Sequence, residues 1–201
     1  MREGETMDAP ARSIYAGPST IGLTGVAGSG KDTVADILCR EYGFVRMSFA
    51  SPLKAAVKTM FSLTESHVNG ELKEQPIGWL GGVTPRHIMQ TLGTEWGREH
   101  ICDDVWIRVA DIVHASILEQ NPSARIVITD VRFENEADWV RSIGGNVWFI
   151  VRPNAGTSHK HSSESGIPAC TEDSVIDNSA GIEYLPETVR QAIRSYSDGE
   201  G

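Results

Sequence analysis

The sequence predicts an α/β protein: a mostly parallel, five-stranded sheet with helices on both faces. Three observations carry this. Short apolar runs alternate with segments of helical period along most of the chain. A glycine-rich loop lies between the first apolar run and the first helical segment. The 201 residues, 40% hydrophobic and 22% charged, suit a single domain with an ordinary core.

The elements follow in order. Residues 1–18 have no hydrophobic period and read as a flexible tail; 19–198 read as the one domain. Ile21 to Thr24 is a first buried strand. A helix runs from about Lys31 to Tyr42, and Gly43 ends it. Phe44 to Met47 is a second strand, and Ser51-Pro52 opens a second helix. Residues 62–83, with Gly70, Pro76, Gly78, Gly81 and Gly82, read as a surface excursion rather than a core element. Thr84-Pro85 starts a helix, a capping hydroxyl followed by proline. Over 103–120, Val105, Val109, Ile112, Val113 and Ile117 form one helical face. Strands follow at 125–130, 147–151 and 174–177, with helices at 134–143 and about 184–196.

Composition excludes several classes. A net charge of −9 makes the chain a poor binder of polymeric nucleic acid or anionic membrane. No apolar run reaches the roughly 18–20 residues that span a bilayer, and the start lacks a signal peptide's apolar core. Cys39, Cys102 and Cys170 form no Cys-x-x-Cys pair, so they read as reduced thiols in a cytoplasmic protein.

Chemistry concentrates where strands end. Gly25-Val26-Ala27-Gly28-Ser29-Gly30-Lys31-Asp32-Thr33 follows the first strand and opens the first helix. Glycines let the backbone turn its N–H groups around phosphate oxygens, and Lys31 is expected to reach the outer phosphates of ATP. Asp32 stands where a Ser/Thr magnesium ligand is usual, with Thr33 next; both are candidate Mg²⁺ ligands. Gly-Lys-Asp-Thr is unusual in signalling GTPases and occurs in small-molecule kinases.

Unrolled at 100° per residue, the helix from Thr84 puts Ile88, Met89, Leu92 and Trp96 on a core side. Arg86, Gln90, Thr94 and Arg98 step along the other, with Gly93 and Gly97 among them. That face either lies against a ligand, Arg86 fixing an anion and Gln90 or Thr94 reading polar edges, or is simply solvated. Trp106 opens the next helix and is either core or the flank of a base.

Asp130 and Arg132 cap the 125–130 strand, with Glu136 beyond. The carboxylate can orient an acceptor or magnesium, and the guanidinium can pair with a phosphate. The pair can equally be a structural staple. Arg152 leaves a later strand and enters a segment with His159, Lys160 and His161, read either as a lid over 152–170 or as a long surface loop.

Together these motifs resemble the bacteriophage-type deoxynucleoside monophosphate kinases of the P-loop nucleoside monophosphate kinase superfamily. The resemblance rests on Gly-Lys-Asp-Thr (30–33), Arg-x-x-x-Gln-x-Leu-Gly-Thr (86–94), Trp106, Asp-x-Arg-x-x-x-Glu (130–136), Val-Arg-Pro (151–153) and His-x-x-Glu-x-Gly (161–166). It implies a three-layer P-loop kinase fold with a substrate region at about 62–102. It implies transfer of the ATP γ-phosphate to a deoxynucleoside monophosphate, with Mg²⁺. It places Arg86, Gly93, Thr94, Trp106, Asp130, Arg132 and Glu136 on the nucleotide substrate. The partners expected are small nucleotides, and the chain is expected as a monomer or homodimer, in the host cytoplasm if phage-encoded. Two other readings of the loop remain: a kinase for another small phosphoacceptor such as dephospho-coenzyme A, and a nucleotide-binding switch.

Overall fold

A computed structural model describes residues 17–153 and 167–198. Its centre is β1 (Thr20–Thr24), buried at every position. A strand covered on both faces has no polar side to present, and this one reads Thr-Ile-Gly-Leu-Thr. Four more strands extend the sheet: β2 (Phe44–Met47), β3 (Arg125–Ile128), β4 (Asn146–Val151) and β5 (Ser174–Asp177). Their order is β2-β3-β1-β4-β5, and every pairing is parallel. From β1 the chain crosses to the edge strand β2, returns through β3 beside β1, and then passes to β4 and β5 on the other side. The crevice beyond the carboxyl ends at that reversal is where open α/β sheets take ligands.

Alternate residues of the strands feed two cores. On one face, Ile21, Leu23, Val127, Trp148 and Ile150 pack against α1 (Lys31–Tyr42) and α7 (Leu185–Asp198). On the other, Ile126, Ile128 and Val147 pack against α5 (Val105–Gln120) and α6 (Glu134–Ser142). The three-layer architecture follows directly from the period of two in strands with both faces covered.

Three expectations are corrected. First, residues 62–83 are not merely a surface excursion. They hold α3 (Glu65–Val68) and two 3-10 turns, Glu71–Glu74 and Gly78–Leu80. Leu63, Val68 and Ile77 are buried in a third small core with Leu53 and Val57 of α2 (Ser51–Met60) and Met89 of α4 (Pro85–Gln90). The glycines and Pro76 obscured the apolar residues between them.

Second, the helix from Thr84 does not keep a 100° step. Thr84 Oγ1 accepts the N–H of His87 at 3.2 Å, and α4 begins as expected. From Thr91 to Ile101 the chain is a π-helix, ending where Cys102 N donates to Gly97 O at 3.0 Å. The wider i→i+5 turn rotates later residues out of the α register. Trp96, expected in the core, is 49% exposed, and Arg98, expected on an open polar face, is buried. Third, Ile112 of α5 is exposed, whereas Ala110 and His114 are buried.

The tail at residues 1–16 and residues 154–166, most of the expected lid, lie outside the described residues.

Candidate active site

The loop between β1 and α1 is shaped by glycines with left-handed or extended positive φ: Gly25 at 141°, Gly28 at 76° and Gly30 at 110°. At two of them nothing larger fits. A Cβ on Gly25 would stand 2.4 Å from the Ile150 carbonyl oxygen, and one on Gly30 would stand 2.6 Å from Asn178 Nδ2. Asn178, just past β5, donates to Ser29 O at 2.8 Å and ties the loop to the far side of the sheet. Lys31 Nζ curls back over the loop, donating to Gly25 O at 2.6 Å and Val26 O at 2.9 Å. Arg152 Nη1 donates to Gly28 O at 3.4 Å, so the first residue after β4 lies at the same loop.

From this loop a cleft of about 860 Å³ runs to α4 and the π-helix. Its walls come from the tips of β2 and β3, from α2, and from the 62–83 stretch. Seven cationic side chains line it: Lys31, Arg46, Lys54, Lys73, Arg86, Arg98 and Arg132. They face three carboxylates, Asp32, Asp130 and Glu136.

Each charged group has a distinct setting. Both oxygens of Asp130 are occupied, accepting Phe49 N at 2.8 Å and Ala50 N at 3.0 Å. Asp130 thereby holds the entry to α2 against the tip of β3. Burial pushes its carboxyl above the usual range, against those two N–H groups and the Arg132 charge. Glu136 is buried and pairs with Arg98. Burial pushes its carboxyl up to about 7, partly opposed by the Arg132 and Phe133 N–H groups and by Arg98. Lys73 is pushed down to about 8, first by burial and then by the charges of Arg86, Lys54 and Arg132. Arg86 pairs with Glu74. Arg46 donates to Asp36 Oδ1 at 2.8 Å and to the Asp32 carbonyl at 3.1 Å.

The wall opposite is apolar and aromatic. Trp106 Nε1 donates to Gly93 O at 2.7 Å. A Cβ on Gly97 would stand 2.8 Å from Trp106 Cζ2, so the absent side chain there admits the indole rather than a ligand. Phe133, Met89 and Leu53 complete that side.

Magnesium fits this donor set through one residue. The Asp32 carboxylate lies at the cleft with its side chain 87% exposed, an oxygen donor open to water. Magnesium is commonly held by one or two carboxylates together with substrate phosphates and waters. Thr33 is not part of the cleft lining.

A family model for deoxynucleotide monophosphate kinase matches residues 81–189. A candidate deoxynucleotide monophosphate kinase of Acanthamoeba polyphaga mimivirus is 36% identical over 173 residues, which are 81% of this chain and 90% of the relative. The chain belongs to the deoxynucleotide monophosphate kinase family. The deoxynucleotide monophosphate kinase of Enterobacteria phage T4 is 23% identical, covering 86% of this chain and 97% of that one. Among solved structures, TT1252 from Thermus thermophilus shares the fold, with a TM-score of 0.53 at 19% identity over 92% of this chain and 99% of its own.

In this family member the cleft gathers Gly28, Lys31, Asp32, Arg86, Gln90, Gly93, Thr94, Trp106, Asp130, Arg132 and Glu136, all singled out in the sequence. Gly25, Ser29 and Gly30 shape the loop without lining the cleft. Sequence reasoning missed Arg46, Lys54, Asn69, Lys73 and Phe133 as cleft residues; Arg98, expected on the face that meets either a ligand or solvent, lines the cleft but is buried. Phe133 had a signal, since it directly follows Asp130-Val131-Arg132. Lys73 had none, because it sits in the stretch whose folding was illegible.

Proposed function

We propose that this kinase holds ATP on the phosphate loop and a deoxynucleoside 5′-monophosphate at the α4 end of the cleft, and moves the γ-phosphate between them. The observation that carries the reading is the cleft's charge: seven cations against three carboxylates, in a chain of net −9. Two phosphorylated substrates meeting end to end need such a local excess of positive charge.

The residues divide the work. Lys31 exchanges its loop carbonyls for the outer phosphates of ATP, and Arg152 adds charge at the same loop. Arg86 and Arg132 receive the acceptor phosphate, and Gln90 and Thr94 offer polar contacts to the nucleoside. Trp106 and Phe133 supply apolar surface for its base. Asp130 fixes the strand tip that carries Arg132. The acceptor phosphate is already mostly dianionic near neutral pH, so no strong general base is needed. Positioning and charge neutralisation supply the rate. Asp32 would hold Mg²⁺, directly or through water, and the ion would neutralise phosphate charge there. The substrates put the enzyme in the cytoplasm, the host's if a phage encodes it.

The test is ADP release from ATP and Mg²⁺ with each deoxynucleoside monophosphate, their ribose counterparts, dephospho-coenzyme A and a no-acceptor blank. Stimulation by deoxynucleotides well above the blank is the expected result. A blank as fast as every acceptor would make the protein an ATPase or switch instead.

A further inference from the structure

The 71–74 turn contributes one ammonium group that the phosphate-loop reading does not use. Lys73 is half-buried in the cleft wall. Among the described residues its Nζ has no carboxylate within ion-pair distance. The charges that act on it come from each neighbouring element: Arg86 of α4, Lys54 of α2, Arg132 after β3, and Glu74 of its own turn. Glu74 is already paired with Arg86. On α3, Glu65 is held by Lys58 at 2.8 Å, and His67 Nδ1 lies 2.8 Å from Thr64 Oγ1. Lys54 donates to Asn69 Oδ1 at 2.6 Å, an uncharged partner.

Four cations thus line this end of the cleft, and neither Glu74 nor Asp130 pairs with Lys73. Like charges brought together out of water oppose folding unless something else neutralises them. The nearby Asp130 carboxylate acts on Arg132 and Lys54, but both its oxygens are taken by the Phe49 and Ala50 N–H groups. The arrangement makes physical sense as a seat for an anion of more than one charge.

We propose that Lys73 selects the charge state of the acceptor, so that the α4 end of the cleft takes a terminal phosphate dianion and binds it together with a proton captured on Lys73. This deepens the kinase reading and rests on it. Free Lys73 is partly neutral above pH 8 because of its burial and its three cationic neighbours. A bound dianion reverses that balance, and the ammonium form is restored as the ligand enters. A phosphate ester loses its second proton near pH 6 and Glu136 sits at about 7, so near pH 8.5 both start deprotonated and Lys73 is the cleft group still partly titrated in the free protein.

The experiment uses the full chain, with Lys73→Met and Lys73→Arg beside it. Acceptor KM, ATP KM and kcat are followed from about pH 6.5 to about pH 9.5. Calorimetry of deoxynucleoside monophosphate binding near pH 8.5, in two buffers of different ionisation enthalpy, counts protons. The wild-type acceptor KM should rise several-fold above about pH 8 while ATP KM stays flat, with roughly half a proton or more taken up per ligand. Lys73→Met should raise acceptor KM roughly tenfold or more at neutral pH, abolish that rise and abolish the uptake. Lys73→Arg, charged throughout, should keep a low KM to high pH with no uptake. Parallel wild-type and Lys73→Met profiles, or uptake unchanged in Lys73→Met or Lys73→Arg, would overturn the assignment while leaving the kinase intact. Wild-type protein that neither binds nor phosphorylates any deoxynucleoside monophosphate would overturn the kinase reading itself, and this assignment with it.

Discussion

Arg98 Nη2 donates to Glu136 Oε1 at 2.5 Å, and the two side chains retain only 7% and 4% of their exposure. The pair joins the π-helix to α6 beneath the cleft. Its second connection is to the strand tip, because Glu136 Oε2 accepts Arg132 N at 2.8 Å and Phe133 N at 3.2 Å. Arg98 also stacks on the Phe133 ring, 3.9 Å from its centroid. One buried ion pair therefore holds the turn that presents Arg132 to the cleft.

Removing one partner leaves the other charge buried. Arg98→Ala should destabilise the protein by about 3–5 kcal/mol in denaturant unfolding. Glu136→Gln retains an acceptor for Arg98 and should cost less. In the Arg98→Ala/Glu136→Gln double variant, part of the Arg98 loss should be recovered, and the cycle should show coupling above about 1 kcal/mol. Strict additivity would mean that the pair is not a unit.

Gly97 tests the packing of the aromatic wall. An added Cβ meets the Trp106 ring at 2.8–3.0 Å, and the indole is tied to Gly93 O on the same helix. Gly97→Ala should cost about 1–3 kcal/mol through overpacking, despite alanine's better helix propensity. It should also shift Trp106 and raise acceptor KM. Unchanged stability and KM would show that the wall yields freely.

The sheet was legible because its rule is local. A strand buried on both faces must be apolar through its middle, and β1, β3 and β4 are, between end residues such as Thr20, Arg125 and Asn146. The phosphate loop was legible because Gly25 and Gly30 satisfy backbone and steric demands that other residues cannot. The π-helix was not. Apart from Gly93 and Gly97, Thr91–Ile101 keeps an α pattern, and its spacing does not encode the wider turn. The error propagated: an assumed 100° step put Trp96 inside and Arg98 outside. Lys54 and Lys73 were invisible for another reason. Their importance lies in convergence from separate elements, and no spacing within one segment encodes that.

The two ends of the cleft should separate kinetically. Lys31 sits on the phosphate loop, and in the proposed reaction its charge is needed most as the phosphoryl group moves. Lys31→Ala should lower kcat by roughly 10²-fold or more with a smaller change in acceptor KM. Arg86→Ala should mainly raise acceptor KM, by roughly 10-fold or more, because the contact proposed for it is made already in the bound ground state. Steady-state kinetics with each substrate varied in turn checks both. Unchanged turnover in Lys31→Ala would remove the phosphate-loop assignment.

Lys73 should also set a pH dependence of stability whose sign is fixed. Its folded value, about 8, lies below the ordinary 10.5. Below pH 8 the residue is charged in both states, and the folded protein bears the whole cost of burying that charge among Arg86, Lys54 and Arg132. Between about 8 and 10.5 the unfolded chain binds more protons than the folded one, so this contribution to stability rises with pH. Above that window both states are neutral and the cost is gone. Lys73→Met should therefore be more stable than wild type near pH 7, by about 1–3 kcal/mol after allowance for partial solvation, and the gap should close towards pH 10.5. Lys73→Arg should keep the cost throughout. Paired unfolding curves across that range measure it. A variant that gains stability while losing acceptor affinity would show a charge held against the fold for the sake of its ligand. A Lys73→Met protein less stable than wild type at neutral pH would mean that the lysine stabilises the fold, and that the cluster is compensated in some other way.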